Sequence, residues 1–216
     1  MSILQTLKDR GAIITDSHLV LTSGKHSSGY VNMRAIAHDV NLLQNIGNQL
    51  AMTLQELNPQ VIIGPETLGR TLASFTAATL NKVTRGGKIP AIWCEMGEKE
   101  ASFSPKLAFD QLVKSQSVAI VDDLLTTGIS IRKVVDLVEQ HGCTVICAAV
   151  VVQRDAVVTA ADCNVPQLFA LETITGGIPT FDAASCPLCD AEAPMLLRPG
   201  HGHEWIKTHP DYTVAV

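Results

Sequence analysis

The sequence predicts an α/β fold with a central parallel sheet flanked by helices, and three observations carry that prediction. Apolar runs of strand length, Val61-Ile62-Ile63, Val118-Ala119-Ile120-Val121 and Thr144 to Val152, lack in/out alternation and so read as strands covered on both faces. Before and between them lie segments with helical spacing: Val40 to Leu57 turns Leu43, Ile46, Leu50 and Leu54 inward, and Ser130 to His141 puts Ile131, Val134, Val135 and Val138 on one face. Strands that alternate with helices pair in parallel, and ligands then bind at the carboxyl ends of the strands.

The remaining elements follow in order. Met1 to Arg10 has amphipathic helical spacing and no signal-peptide core. His18-Leu19-Val20-Leu21 and Gly29 to Met33 read as short strands around the turn Thr22 to Ser28. Thr67 to Leu80 reads as a helix, and Ile89 to Trp93 begins a strand that runs into a polar stretch. The tail from Pro179 to Val216, with its prolines and histidines, reads as an irregular cap. A chain of 216 residues needs only one domain, residues 1–216, with about 1–35 and 179–216 as accessory hood or cap elements.

The composition excludes several function classes. A formal net charge of -5 argues against a general nucleic-acid binder, which needs a basic surface to neutralise phosphates. No apolar run is long enough to span a bilayer, so the expected setting is cytoplasmic with no membrane partner. Six cysteines are too few for a disulfide scaffold, and Cys143 and Cys147 read as reduced, packed thiols.

The chemistry concentrates where the strand Val118–Val121 ends. Asp122 and Asp123 are followed by Leu124, Leu125, Thr126, Thr127, Gly128, Ile129 and Ser130, which places two acids and a hydroxyl-rich glycine turn between a strand and a helix. The first amides of that helix lack intrahelical partners and point outward with the positive end of the dipole, so the turn is an anion site. Two ionised acids beside it accept hydrogen bonds only, which fits a polyol or a metal carried by the phosphate. Ribose 5-phosphate combines both groups. An ordinary turn with a capping hydroxyl would need one such residue, not the whole set. A second loop, Gly64-Pro65-Glu66-Thr67-Leu68-Gly69-Arg70, follows the strand Val61–Ile63 and should lie on the same sheet edge. There is no Walker-type lysine loop, and these glycines do not match the dinucleotide fingerprint.

The Asp122–Ser130 segment resembles the phosphoribosyl pyrophosphate (PRPP) motif of type I phosphoribosyltransferases, most like the orotate phosphoribosyltransferases. The resemblance runs from about Gly11 to Arg154. It implies that Asp122 and Asp123 bind the ribose hydroxyls, that Thr126 to Ser130 bind the 5-phosphate, and that Glu66, Thr67, Leu68, Gly69 and Arg70 bind pyrophosphate. It also implies Mg²⁺ brought by PRPP, a homodimer, and transfer of ribosyl phosphate to orotate. Thr22 to Tyr30 resembles the base-pocket segment of that family, which makes Lys25 and Tyr30 base-binding candidates, although Lys25 or His26 could equally be plain surface residues. Arg154, closing the strand that ends at Gln153, suits a bidentate bond to a carboxylate such as that of orotate, together with Thr126; a salt bridge to Asp155 is the competing reading. Glu95 to Phe109 occupies the position of the family's mobile loop, with Lys99 and Lys106 either neutralising pyrophosphate or merely solvating a hairpin. Its usual basic run is reduced to those two lysines among several acids. Cys186 and Cys189 with His201 and His203 form a candidate zinc quartet, weakened because His-x-His places its imidazoles awkwardly for a compact site. The alternatives are a phosphoribosyltransferase for another base and a non-catalytic PRPP sensor.

Overall fold

The computed structural model describes residues 2–84, 88–104 and 106–215; Met1, Pro105 and Val216, which fall in the expected first helix, loop and tail, lie outside them. The chain divides into a terminal unit, Met1–Ala35 with Gly176–Val216, and a central unit, Ile36–Thr175.

The terminal unit begins with α1 (Ile3–Asp9), which Ser2 caps by accepting the Gln5 amide at 3.1 Å and which buries Ile3 and Leu7. Four two-residue strands follow: β1 (Ile13–Ile14), β2 (Leu19–Val20), β3 (His26–Ser27) and β4 (Tyr30–Val31). β1 pairs antiparallel with β4, and β2 with β3. β2 and β4 lie within the two strands expected here, β1 is additional, and β3 falls in the expected turn.

The central unit starts with α2 (Val40–Leu54), capped by Asp39, whose Oδ1 accepts the Leu42 amide at 3.0 Å. Leu43, Ile46, Leu50 and Leu54 are its buried face, as their spacing requires. Then come β5 (Val61–Pro65), α3 (Leu68–Val83), β6 (Ala91–Met96), β7 (Ala101–Ser102), α4 (Phe109–Val113), β8 (Ser117–Leu125), α5 (Ile129–Gln140), β9 (Thr144–Gln153) and β10 (Leu168–Thr173). They form one sheet in the order β10-β9-β8-β5-β6-β7, parallel except for β7, which folds back on β6. Val118 and Ile120 of β8, with Val61 and Ile63 of β5, pack in one cluster with Ile131, Val134, Val135 and Val138 of α5.

The chain moves outward from β5 to β6, then returns past β5 to β8 and continues the other way to β9 and β10. β5 and β8 therefore flank the point where the winding reverses, and the loops after them diverge around a crevice at the sheet's carboxyl edge. β10 had no counterpart in the sequence reading. Its side chains from Leu168 to Glu172 are all half-buried, so this edge strand lacks the continuous apolar run that marks its neighbours.

The chain re-enters the terminal unit with β11 (Thr180–Phe181), antiparallel to β3, then α6 (Pro187–Asp190) and α7 (Gly202–Thr208).

Gly64, in β5, has no space for a side chain: a Cβ there would run into the Gly69 carbonyl at the start of α3. Both partners are backbone, so the clash can be relieved only by moving α3 off the sheet. Gly64→Ala should destabilise the protein by about 1–3 kcal/mol, read as a lower urea midpoint with an unchanged slope.

Candidate functional site

Asp122 and Asp123 lie near the carboxyl end of β8, where β5 has already ended and its loop begins. Asp122 is buried at 7 % exposure, and its Oδ1 accepts the Asp123 amide at 2.8 Å. Asp123 is half-buried. Gly128 turns the chain from β8 into α5 with φ +77, and a Cβ on it would approach Cys163 Sγ to 2.9 Å and the Asp162 carbonyl to 3.1 Å. Glycine is therefore required both by conformation and by space. No side chain caps α5, which leaves its first amides open to an outside acceptor. Thr127 and Ser130 are exposed beside them, and Thr126 is half-buried. Leu125 is buried, so its part in any site is through its backbone.

The loop after β5 closes on the same spot. The Glu66–Thr67 peptide is cis. A Cβ on Gly69 would lie 2.8 Å from Pro65 Cδ, 3.2 Å from the Val121 carbonyl and 3.3 Å from Asp122 Oδ1, so glycine lets this loop sit directly on β8. Leu68 is buried beneath it, whereas Glu66, Thr67 and Arg70 are exposed. The Arg70 guanidinium lies over the Trp93 ring, 3.8 Å from its centroid, and 3.9 Å from Glu66 Oε1. Its stem is held while its charge stays available to an anion.

Arg154 joins this group from β9. Its amide donates to the Leu125 carbonyl at 2.9 Å, which ties it to the strand end just before Thr126. Its Nε is buried with no hydrogen-bond partner, and it makes no ion pair among the described residues, so the competing salt bridge to Asp155 is not formed. A buried guanidinium nitrogen without an acceptor is costly in a ligand-free protein and points to an anionic ligand.

Electrostatics set the acids apart. Burial, then the neighbouring Asp123 charge, pushes the Asp122 carboxyl well above its ordinary range. Burial, with Asp122 adding to it, pushes the Cys94 thiol of β6 up to about 12. The pocket floor therefore disfavours a bare negative charge on Asp122 and would suit hydroxyl donors or a cation beside the acids.

The other expected residues are placed as follows. Lys99 and Lys106 are exposed; Lys99 lies in the turn between β6 and β7, which Lys133 braces by donating to the Gly97 and Glu98 carbonyls. That brace was not anticipated. Lys25 and Tyr30 belong to the terminal unit, where Lys25 pairs with Asp182 at 3.2 Å. His26, weighed as a surface residue, is fully buried. The zinc quartet needs correction: Cys186 and Cys189 converge with His18 and His26, not with His201 and His203. The latter two sit exposed at the start of α7, whereas the pairing of β2 with β3 brings the two buried histidines together. Spacing along the chain could not reveal partners more than 160 positions away.

The family model described as "Phosphoribosyl transferase domain" matches residues 33–161. The orotate phosphoribosyltransferase of Thermotoga maritima is 29% identical over 201 residues, covering 92% of this chain and 97% of that protein. That of Caldanaerobacter subterraneus subsp. tengcongensis is 30% identical over 189 residues, covering 87% and 90%. Among solved structures, orotate phosphoribosyltransferase from Aeropyrum pernix aligns with a TM-score of 0.62 at 24% identity, over 81% of this chain and 94% of that one. The Mycobacterium tuberculosis orotate phosphoribosyltransferase in complex with PRPP aligns at 0.57 and 20% identity, over 80% and 94%. At these identities the two structures speak for the fold.

The raised Asp122 carboxyl has a consequence for stability. An acid whose folded pKa lies above its unfolded value holds a proton more tightly when folded, so its contribution is fully present below the ordinary 3.8 and is lost as pH rises through the folded value. The stability of the wild type relative to Asp122→Asn should fall as pH rises from 3.8 and then level off. Denaturant melts of both proteins across that range, without ligand, measure the difference; a flat or rising one would contradict the burial of an uncompensated acid.

Proposed function

The chain belongs to the phosphoribosyltransferase family, and on that premise we propose that it transfers the 5-phosphoribosyl group of PRPP to orotate, giving orotidine 5′-monophosphate and pyrophosphate. The observation that carries this reading is the convergence, at the β5/β8 crevice, of an acidic pair, an uncapped helix start and a buried arginine nitrogen with no acceptor. Orotate and PRPP together offer hydroxyls to the first, a phosphate to the second and a carboxylate to the third. Phosphoribosyltransfer is the chemistry; orotate as the base follows from the relatives and is supported by Arg154.

In this mechanism Asp122 and Asp123 accept hydrogen bonds from the ribose hydroxyls and hold the ring as positive charge grows on it. The amides after Gly128, with Thr126, Thr127 and Ser130, bind the 5-phosphate. The loop from Glu66 to Arg70 binds the departing pyrophosphate, where Arg70 offsets developing negative charge. Lys99 and Lys106 add positive charge on closure of their loop, which also excludes water from the ribosyl cation. Arg154, with Thr126, orients the carboxylated base so that its ring nitrogen meets C1 as the bond to pyrophosphate breaks. No side-chain nucleophile is needed. The donors at the crevice floor are the carboxylate oxygens of Asp122 and Asp123, a type that fits a hard divalent cation. Mg²⁺ carried by PRPP would neutralise the pyrophosphate oxygens as they leave. A homodimer and a cytoplasmic setting belong to the same reading, each on family resemblance.

Pyrophosphate release from PRPP and Mg²⁺, with orotate, uracil, adenine, guanine and hypoxanthine offered separately, tests the assignment. Release is expected with orotate alone; PRPP binding with no release for any base would overturn the transferase reading in favour of a sensor. Asp123→Asn should keep the fold and lower kcat by roughly a hundredfold or more. Loss of a charge-assisted bond in Arg154→Ala should weaken orotate binding by roughly ten- to a hundredfold and PRPP binding much less; equal losses in steady-state KM would reject that role for Arg154.

A further inference from the structure

Among the described residues, one cluster of histidine, cysteine and acidic side chains has donor atoms that converge: His18, His26, Cys186 and Cys189, all within 4.8 Å of one another. The transferase reading makes no use of it. Three of the four are buried to 1 % exposure or less, and Cys189 is half-buried.

The distances describe a shell. His18 Nε2 lies 2.9 Å from His26 Nδ1, Cys189 Sγ lies 3.2 Å from His26 Nδ1 and 3.7 Å from His18 Nε2, and Cys186 Sγ lies 3.8 Å from His18 Nε2. A tetrahedral zinc ion with bonds of about 2.3 Å to sulfur and about 2.0 Å to nitrogen separates its ligands by about 3.3–3.8 Å. Three of these separations are within about 0.1 Å of that range, and the pair of nitrogens need open by only about 0.4 Å.

The surroundings orient the donors. His18 Nδ1 lies 3.0 Å from the Ala193 carbonyl and donates to it, which leaves Nε2 with its lone pair facing the cluster. The Tyr212 hydroxyl donates to the same carbonyl at 3.1 Å. The His26 ring is held edge-on against Trp205, with centroids 5.4 Å apart, and its Nδ1 faces inward. The Cys189 amide donates to the Cys186 carbonyl at 3.0 Å, closing the turn that presents both sulfurs on one side. The four inward-facing donor atoms have one another as neighbours, and His26 Nε2 is buried with no hydrogen-bond partner.

We propose that His18 Nε2, His26 Nδ1, Cys186 Sγ and Cys189 Sγ bind one zinc ion and so join the β2–β3 hairpin to α6 within the terminal unit. Two imidazole nitrogens and two thiolates with no carboxylate select zinc over calcium or magnesium. Four protein ligands leave no open position, so the site is structural. On loading, each thiol gives up its proton to solvent as its sulfur–zinc bond forms, and the two neutral imidazoles contribute lone pairs. Two negative thiolates then balance the ion's charge, which suits a buried position.

Metal analysis of the purified full-length protein after incubation with zinc and gel filtration should give one zinc per chain. Cobalt(II) titrated into chelator-stripped protein should show visible bands of tetrahedral intensity and a near-ultraviolet thiolate charge-transfer band, both saturating at one equivalent. Cys189→Ser and His18→Ala should lose the metal, whereas the His201→Ala, His203→Ala double variant should keep it. If the first two fail to fold, the wild-type cobalt spectrum and the double variant decide alone. Clearly substoichiometric zinc, a cobalt spectrum without the thiolate band, or loss of metal in the double variant would overturn the proposal.

Discussion

The close seating of the loop after β5 on the end of β8 is the constraint from which the rest of the site follows. β8 is hydrogen-bonded to β5 on one side and β9 on the other. The loops that leave those three strands therefore lie nearest to its end. Gly64 and Gly69 bring the backbone at the start of α3 against β5 and β8, because any side chain at either would meet backbone or Asp122. The same reversal of winding that separates α3 from α5 leaves a crevice whose walls are those two helix starts. Asp122 forms its floor, and Arg154 is tied to its rim through the Leu125 carbonyl.

Within that frame the ligand-free crevice holds two complementary tensions. The buried Asp122 carboxyl resists ionisation because burial and Asp123 both oppose the charge, and no cationic side chain among the described residues pairs with it. At the end of the neighbouring strand, the buried Arg154 Nε has no acceptor. The two do not cancel each other, since Arg154 makes no ion pair among the described residues. A ligand that brings donors and a cation to the acids and an acceptor to the arginine relieves both at once. This is why a pair of substrates, one a polyol phosphate and one carboxylated, fits the crevice better than a simple phosphate would.

The parts of this arrangement legible in the sequence are those fixed by local rules. β5, β8 and β9 were readable because strands covered on both faces need unbroken apolar runs, and α2 and α5 because each buries one stripe. The acid pair and glycine turn were readable because anion binding at a helix start uses contiguous residues. β10 escaped notice because an edge strand with half-buried side chains carries no strong period. In the terminal unit β2 and β4 fall within the strands the sequence suggests, whereas β1 gives no signal and β3 lies in the stretch that reads as a turn, since two-residue ladders depend on partners elsewhere in the chain. For the same reason the sequence points to His201 and His203 as partners of the cysteines and gives no signal for His18 and His26: proximity along the chain stands in for a contact that the β2–β3 pairing and the return of α6 create.

That long-range contact bears on how the terminal unit holds together. Its strands are two residues long, and hairpins of that size are marginal in water. Its two chain segments are separated by the whole central unit, and the return to His18 is made by single bridges such as that with Met195 and by the Leu196 amide at 2.8 Å. Closing a loop of more than 160 residues costs entropy that a few backbone bonds offset poorly. The proposed four-ligand ion, drawing two residues from each segment, would supply the fastening where the ladders are shortest, giving the cysteine turn and the buried histidines one role: to do for the chain ends what the continuous parallel ladder does for the sheet.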